Sequence, residues 1–297
     1  LFVIALPTTA WSKTVIGVMI PGNAPYFQEI HKAFMATMAA KLPAGRKFEV
    51  IIQKPYPDAT ALSNAARKLL TADPDLIVTY GTSATLAVLN EKNQVPLIYS
   101  GVYDPPTAQL ESTSATGCGF KIPLTSLLRY LRELKKIETL NVLYCDLEND
   151  SVRQVNELAK MASEQQIILN RINLRHHDDL KTAPLNKGDA IFLTGSVVVA
   201  SMLDEILAAP QSSQQPSAGI FPTPDEAGIT ISLYHNPIDQ GTKTAELAIQ
   251  VLAGRPAREI QPESLRNTDL TFNLREAKNI GVKIPFQLVA EASKVIK

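Results

Sequence analysis

Asp75-Leu-Ile-Val-Thr-Tyr-Gly81-Thr82-Ser83 returns 114 residues later as Asp189-Ala-Ile-Phe-Leu-Thr-Gly195-Ser196-Val197. Both copies run aspartate, apolar strand, glycine and hydroxyl residue at one internal spacing. Each reads as a buried parallel strand ending in a tight turn that opens a helix. Such a turn offers unpaired N–H groups and the positive end of a helix dipole to a small anion. Two such edges in two similar halves predict two lobes that face one cleft.

The flanking sequence extends this pattern. Val15–Ile20 reads as a first strand and Tyr26–Leu42 as a helix with Phe27, Ile30, Phe34 and Met38 on one stripe. Phe48–Ile52, Leu76–Tyr80 and Leu97–Val102 read as strands, and Asp58 as the N-cap of a helix reaching Thr71. After Gly117-Cys-Gly-Phe120 the pattern restarts, and Thr139-Leu-Asn-Val-Leu-Tyr-Cys echoes Thr14-Val-Ile-Gly-Val-Met-Ile. Short apolar strands alternating with amphipathic helices predict an α/β fold of two doubly wound lobes. Asn149–Gln165, Ser196–Ala208 and Pro237–Ala253 read as helices, the last ended by Gly254. These final elements run past the second half, so the chain is expected to cross between lobes more than once. The expected division is 14–118 with 234–260 in one lobe, and 119–233 with 261–297 in the other.

A chain of 297 residues suits two domains. Lys plus Arg and Asp plus Glu are both 29, and this zero net charge argues against nucleic acid or an anionic membrane surface as partner. Residues 1–12 open with the apolar Leu1–Leu6 and read as the remnant of a secretory signal, a native first strand being the other reading. Export places the protein in the periplasm. Cys118 and Cys145 lie in apolar segments and are expected as buried free thiols, a mutual disulfide being the alternative.

Candidate ligand contacts cluster at predicted strand ends, where open α/β sheets bind ligands. Thr82 and Ser83 are placed to hold a carboxylate, simple helix capping being the alternative. Asn23 could bond a ligand after the first strand, with Tyr26 as a wall. Tyr103 and Asp104 follow the fourth strand, where Asp104 could pair with an ammonium group. Glu148, Asp150 and Ser151 follow the first strand of the second half, and Thr194 and Ser196 frame the second turn. Phe221 could wall an apolar side chain. No metal set is complete: His176-His177-Asp178-Asp179 reads as a solvated loop. Gly117-x-Gly119 lacks the third glycine of a dinucleotide fingerprint. No nucleophile, acid and base come together, so no enzyme and no cofactor is expected.

In series, Ile16–Pro25, Asp75–Ala84, Tyr103-Asp-Pro105, Val142–Tyr144 with Glu148 and Ser151, Asp189–Phe192, and Leu270–Pro285 resemble the ABC-transporter substrate-binding proteins that include tryptophan and tyrosine binders. The similarity spans about residues 14–296. It implies a type I periplasmic binding fold with three crossovers and one ligand between the lobes. One wall would come from Asn23, Thr82, Ser83 and Asp104, and the other from Glu148, Ser151 and the second turn. It implies a monomeric receptor that hands a small carboxylate ligand, an amino acid, to an ABC permease in the inner membrane. A receptor for a signalling partner is the alternative. Three positions depart from the family pattern: Gly195-Ser196 replaces Asp-Asn, Pro222-Thr223 replaces a small residue and an acid, and Asp150 stands where Asn is common. The second lobe is where specificity is expected to differ.

Overall fold

The computed structural model describes residues 13–43, 47–110, 114–209, 214–222 and 228–297. The expected signal remnant at 1–12 and the departure at Thr223 lie outside these residues. The strands in chain order are β1 (Thr14–Met19), β2 (Phe48–Gln53), β3 (Leu76–Tyr80), β4 (Leu97–Tyr103), β5 (Thr116–Phe120) and β6 (Thr139–Tyr144). They continue with β7 (Ile168–Asn173), β8 (Ala190–Leu193), β9 (Ser217–Gly219), β10 (Ile231–Tyr234), β11 (Glu263–Leu265), β12 (Asp269–Asn273) and β13 (Lys294–Ile296).

Two sheets form two lobes. The first has the order β11-β5-β4-β3-β1-β2 and is parallel throughout. The second has the order β13-β12-β10-β9-β8-β6-β7, and its β10–β12 pair is antiparallel. Strands β3, β4 and β8 are buried at every residue. A parallel sheet covered on both faces needs such continuous apolar runs, which is why they stand out in the sequence.

The repeated aspartates turn out to be structural. Asp75 Oδ2 accepts from Val15 N at 2.8 Å, and Asp189 Oδ2 accepts from Glu138 N and Thr139 N, each at 2.9 Å. Each side chain ties the start of its own strand to the start of the lobe's first strand. This is the end of the sheet opposite the Gly-hydroxyl turns.

The chain passes between sheets after β5, after β10 and after β11. Residues Glu263–Leu265 pair with β5, so the return to the second lobe falls later than the expected residue 261. His235 links all three passages: Nδ1 lies 2.7 Å from Asn267 O and Nε2 lies 3.1 Å from Lys121 O. Both partners are carbonyls, so a neutral ring, with one N–H, can donate to only one of them.

The strand-like segment around Cys118 is strand β5, although its two glycines give it little β propensity. The packing explains them. A Cβ on Gly117 would lie 2.2 Å from Tyr99 O, and one on Gly119 would lie 2.1 Å from Pro105 Cγ. The partial fingerprint is therefore a close-packing feature. Similarly, the long helix expected over Ser196–Ala208 is two short ones, Val197–Ser201 and Leu203–Ala208, broken at Met202. Cys118 and Cys145 are both free and buried, and burial pushes each thiol up to about 12. Among the described residues, no helix is long and apolar enough to cross a membrane.

Candidate functional site

The carboxyl ends of β1 and β3 in one lobe face those of β6 and β8 in the other. Between them lies a cavity with about 860 Å³ of space between atoms, part of it open to solvent. Its walls are largely apolar. Tyr26, Phe27, Tyr80 and Phe120 contribute from the first lobe side, and Val197, Leu203, Ile220 and Phe221 from the second. Tyr26 and Phe120 meet edge to face, with ring centres 6.1 Å apart.

The first Gly-hydroxyl turn has the conformation its glycine permits. Gly81 has φ +76 at the N-cap of the helix Thr82–Asn90. A carboxylate does sit on this turn, and it belongs to the protein. Asp150, in the first turn of the helix Asn149–Glu164, accepts from Thr82 N at 2.8 Å and from Thr82 Oγ1 at 2.7 Å. Tyr103 N also donates to it, at 3.2 Å. Arg153, one helical turn on, pairs with Asp150 and donates to Thr82 Oγ1 at 2.8 Å and Tyr103 O at 2.7 Å. Ser83 Oγ accepts from Asn149 N at 3.1 Å. These bonds run from lobe to lobe, so the turn that opens the cleft in sequence closes it in space.

The second turn is filled from within its own lobe. Glu148 accepts from Val197 N at 2.7 Å, Val198 N at 3.1 Å and the Ser196 hydroxyl. Burial raises the Glu148 carboxyl to about 7, against the lowering effect of those donors. Burial also raises Asp150, opposed chiefly by Arg153. The sign for stability follows from linkage. Between the ordinary Glu value of 4.5 and about 7, the folded state binds a proton that the unfolded chain releases, so stability falls as pH rises through this window. The loss attributable to Glu148 is up to roughly 3 kcal/mol. Glu148→Gln, compared with the native protein by urea unfolding at pH 5 and pH 8, is expected to show a smaller fall. An equal fall would assign the pH dependence to other groups.

Of the residues singled out from sequence, Tyr26, Thr82, Ser83, Glu148, Asp150, Ser196 and Phe221 line the cavity. Five others stand off it. Asn23 is exposed, and its carbonyl accepts from Gln28. Tyr103 is buried with its hydroxyl donating to Glu157 at 2.8 Å. Asp104 pairs with Lys121 at 2.9 Å, so it is not directed at a ligand ammonium group. Ser151 and Thr194 bond each other at 2.8 Å in the second lobe's interior. All five lie at or beyond strand ends, but Tyr103 is the last residue of β4, Ser151 is inside a helix, and the backbone directs each of the five away from the cavity. The His176-His177 segment, read as a solvated loop, opens the short helix His177–Leu180 and touches the first lobe. Tyr56, from the first lobe, stacks on His176 at 5.8 Å and donates to Arg175 O. No group of metal-ligating side chains occurs among the described residues.

Gln154 was missed. It lines the cavity, its Oε1 accepts from Gly195 N at 2.8 Å, and its buried Nε2 has no hydrogen-bond partner. The signal for it was its spacing: it lies four residues after Asp150, on the same helix face.

Comparison with known proteins bears on this site. A family model described as ABC transporter substrate binding protein matches residues 27–296. A tyrosine-binding protein of Clostridioides difficile (strain R20291) is 21% identical over 293 residues, covering 95% of this chain and 84% of that protein. The ABC domain from Streptococcus pneumonia in complex with L-Trp is 21% identical, with a TM-score of 0.87 over 96% of this chain and 100% of that one. The ligand-free, open structure of a substrate binding protein with adhesive properties from Clostridium difficile is 20% identical, with a TM-score of 0.64 over 96% and 99%.

Proposed function

Because the chain belongs to the family of ABC transporter substrate-binding proteins, we propose that it is the solute-binding component of an importer, closing two lobes on one small molecule with an apolar or aromatic body. The observation that carries this reading is the cavity itself, walled by aromatic and aliphatic side chains from both lobes at the carboxyl ends of both sheets. A ligand that touches both walls binds the closed form better than the open one. Its differential affinity draws the lobes together. The closed receptor then docks, as a monomer and transiently, on a permease in the inner membrane. It works in the periplasm after removal of its export signal, and it does no chemistry on what it binds.

The test combines native mass spectrometry of the purified protein with a thermal-shift screen of small organic molecules. A ligand at a hundred times its dissociation constant adds about 2.7 kcal/mol of stability. Ala200→Trp places an indole in the cavity wall and is expected to remove that gain. A receptor from which no molecule co-purifies, and which no compound stabilises, would sink the reading.

A further inference from the structure

Both turns that could cradle a ligand's carboxylate are already filled by the protein's own acids, Asp150 at Thr82 and Glu148 at Ser196–Val198. A third carboxylate entering the cavity would have to displace one of them or lie beside both, a like-charge arrangement that is costly in a low-dielectric site. Among the described residues, no lysine or arginine lines the cavity. Arg153 stands off the cavity lining, its Nη2 bonded to Asp150, Thr82 and Tyr103 and its Nε buried without a partner.

The same carboxylates retain capacity for a donor. Asp150 Oδ2 takes only the Thr82 N bond and Glu148 Oε2 only the Val197 N bond, whereas an ionised carboxylate oxygen has two acceptor sites. On the same wall, one helical turn beyond Asp150, the buried Gln154 Nε2 is an unpaired donor that asks for an acceptor. Leaving such a group empty costs desolvation without return, so its partner is expected on the ligand.

Resting on the receptor reading above, we propose that the ligand is an apolar or aromatic primary amine with no free carboxylate, its ammonium beside Glu148 and Asp150, its body against Tyr26, Phe120 and Phe221, and a neutral acceptor facing Gln154. Asp150 thus takes the place that an amino acid's own carboxylate would occupy. Amino-acid amides fit this description in full, arylalkylamines fit all of it but the acceptor, and free amino acids do not.

Isothermal titration with matched sets tests it: phenylalanine, phenylalaninamide and 2-phenylethylamine, then tryptophan, tryptophanamide and tryptamine. In each set the amide or the amine is expected to bind at least about tenfold more tightly than the amino acid, a difference of about 1.4 kcal/mol. An amino acid that binds as well as its amide overturns the inference and leaves the receptor reading intact. Failure of every member of both sets at millimolar concentration also overturns it. The receptor reading is then judged separately, by whether another molecule co-purifies. Asp150→Ala frees the Thr82 N–H and leaves Arg153 unpaired beside it. The preference is expected to shift toward the amino acid by about tenfold or more. An unchanged preference in a variant with native circular dichroism would mean that Asp150 does not set it. If that variant fails to fold, the comparison on the native protein still decides.

Discussion

Arg153→Ala is expected to open the protein rather than unfold it. Arg153 is the counter-charge of Asp150, whose part-buried carboxylate lies between Thr82 and Tyr103 at the lobe interface. Removing one partner of a fully buried ion pair leaves an uncompensated charge and costs about 3–5 kcal/mol, and this partly exposed pair is expected to cost less. The chain has a cheaper relief than unfolding. Separating the lobes returns Asp150 to water, while the core around Val142, Phe192 and Phe272 and that around Ile16, Val78 and Ala248 stay intact. Small-angle scattering of the ligand-free variant should show a larger radius of gyration than the native protein, with the unfolding transition little changed. The effect should weaken as pH falls, because burial raises the Asp150 carboxyl and its protonated form no longer needs the guanidinium. Asp150→Ala combined with Arg153→Ala should be less open than Arg153→Ala alone, since neither charge is then buried by itself. An unchanged radius together with a large drop in melting temperature would show that the pair holds a core and not a closure.

The second large effect is expected at Gly241, where the helix Pro237–Leu252 crosses the helix Pro25–Lys41. A Cβ at Gly241 would stand 2.2 Å from Ile30 O and 2.8 Å from both Ala33 Cβ and Phe34 N. Two of these are backbone atoms, which no rotamer change can move. Gly241→Ala must therefore push the two helices apart and loosen the packing around Ile30 and Phe34, both fully buried. The expected cost is about 3 kcal/mol or more, at the upper end for overpacking. This is a large part of the 5–15 kcal/mol by which domains are typically stable. Gly17→Ala is the control, because a Cβ there meets its nearest neighbour, Ile77, at an ordinary 3.4 Å. It should change stability by less than about 1 kcal/mol. Urea unfolding of both variants checks the contrast, and similar losses at the two sites would remove the close helix approach as the cause.

Local chemistry was legible wherever the residue and its partner are neighbours in the chain. Asp58 caps its helix as expected, accepting from Thr60 N and Ala61 N at 2.9 Å each. Gly81 takes the positive φ its turn requires. The apolar runs at β3 and β8 are the buried strands they looked like. What misled was position without direction. Asn23, Tyr103, Asp104, Ser151 and Thr194 all lie at or beyond strand ends, yet each is spent on a partner outside the cavity or left in solvent. Gln154 faces the cavity from inside a helix, where nothing but its spacing from Asp150 marked it.

The sequence by itself determined that this chain folds as two similar wound lobes, each with a glycine turn able to receive an anion, because strand burial, turn geometry and capping are set by residues a few positions apart. The tertiary structure alone decided which anion each turn receives. Thr82 and Asp150 are 68 positions apart and come from different lobes, and only the closure of those lobes brings the carboxylate onto the turn. Glu148 reaches Val197 across 49 positions within the second lobe, where β6 and β8 pair side by side. The repeat therefore announced two anion sites, and the fold supplied both anions from one short segment, Glu148-Asn149-Asp150.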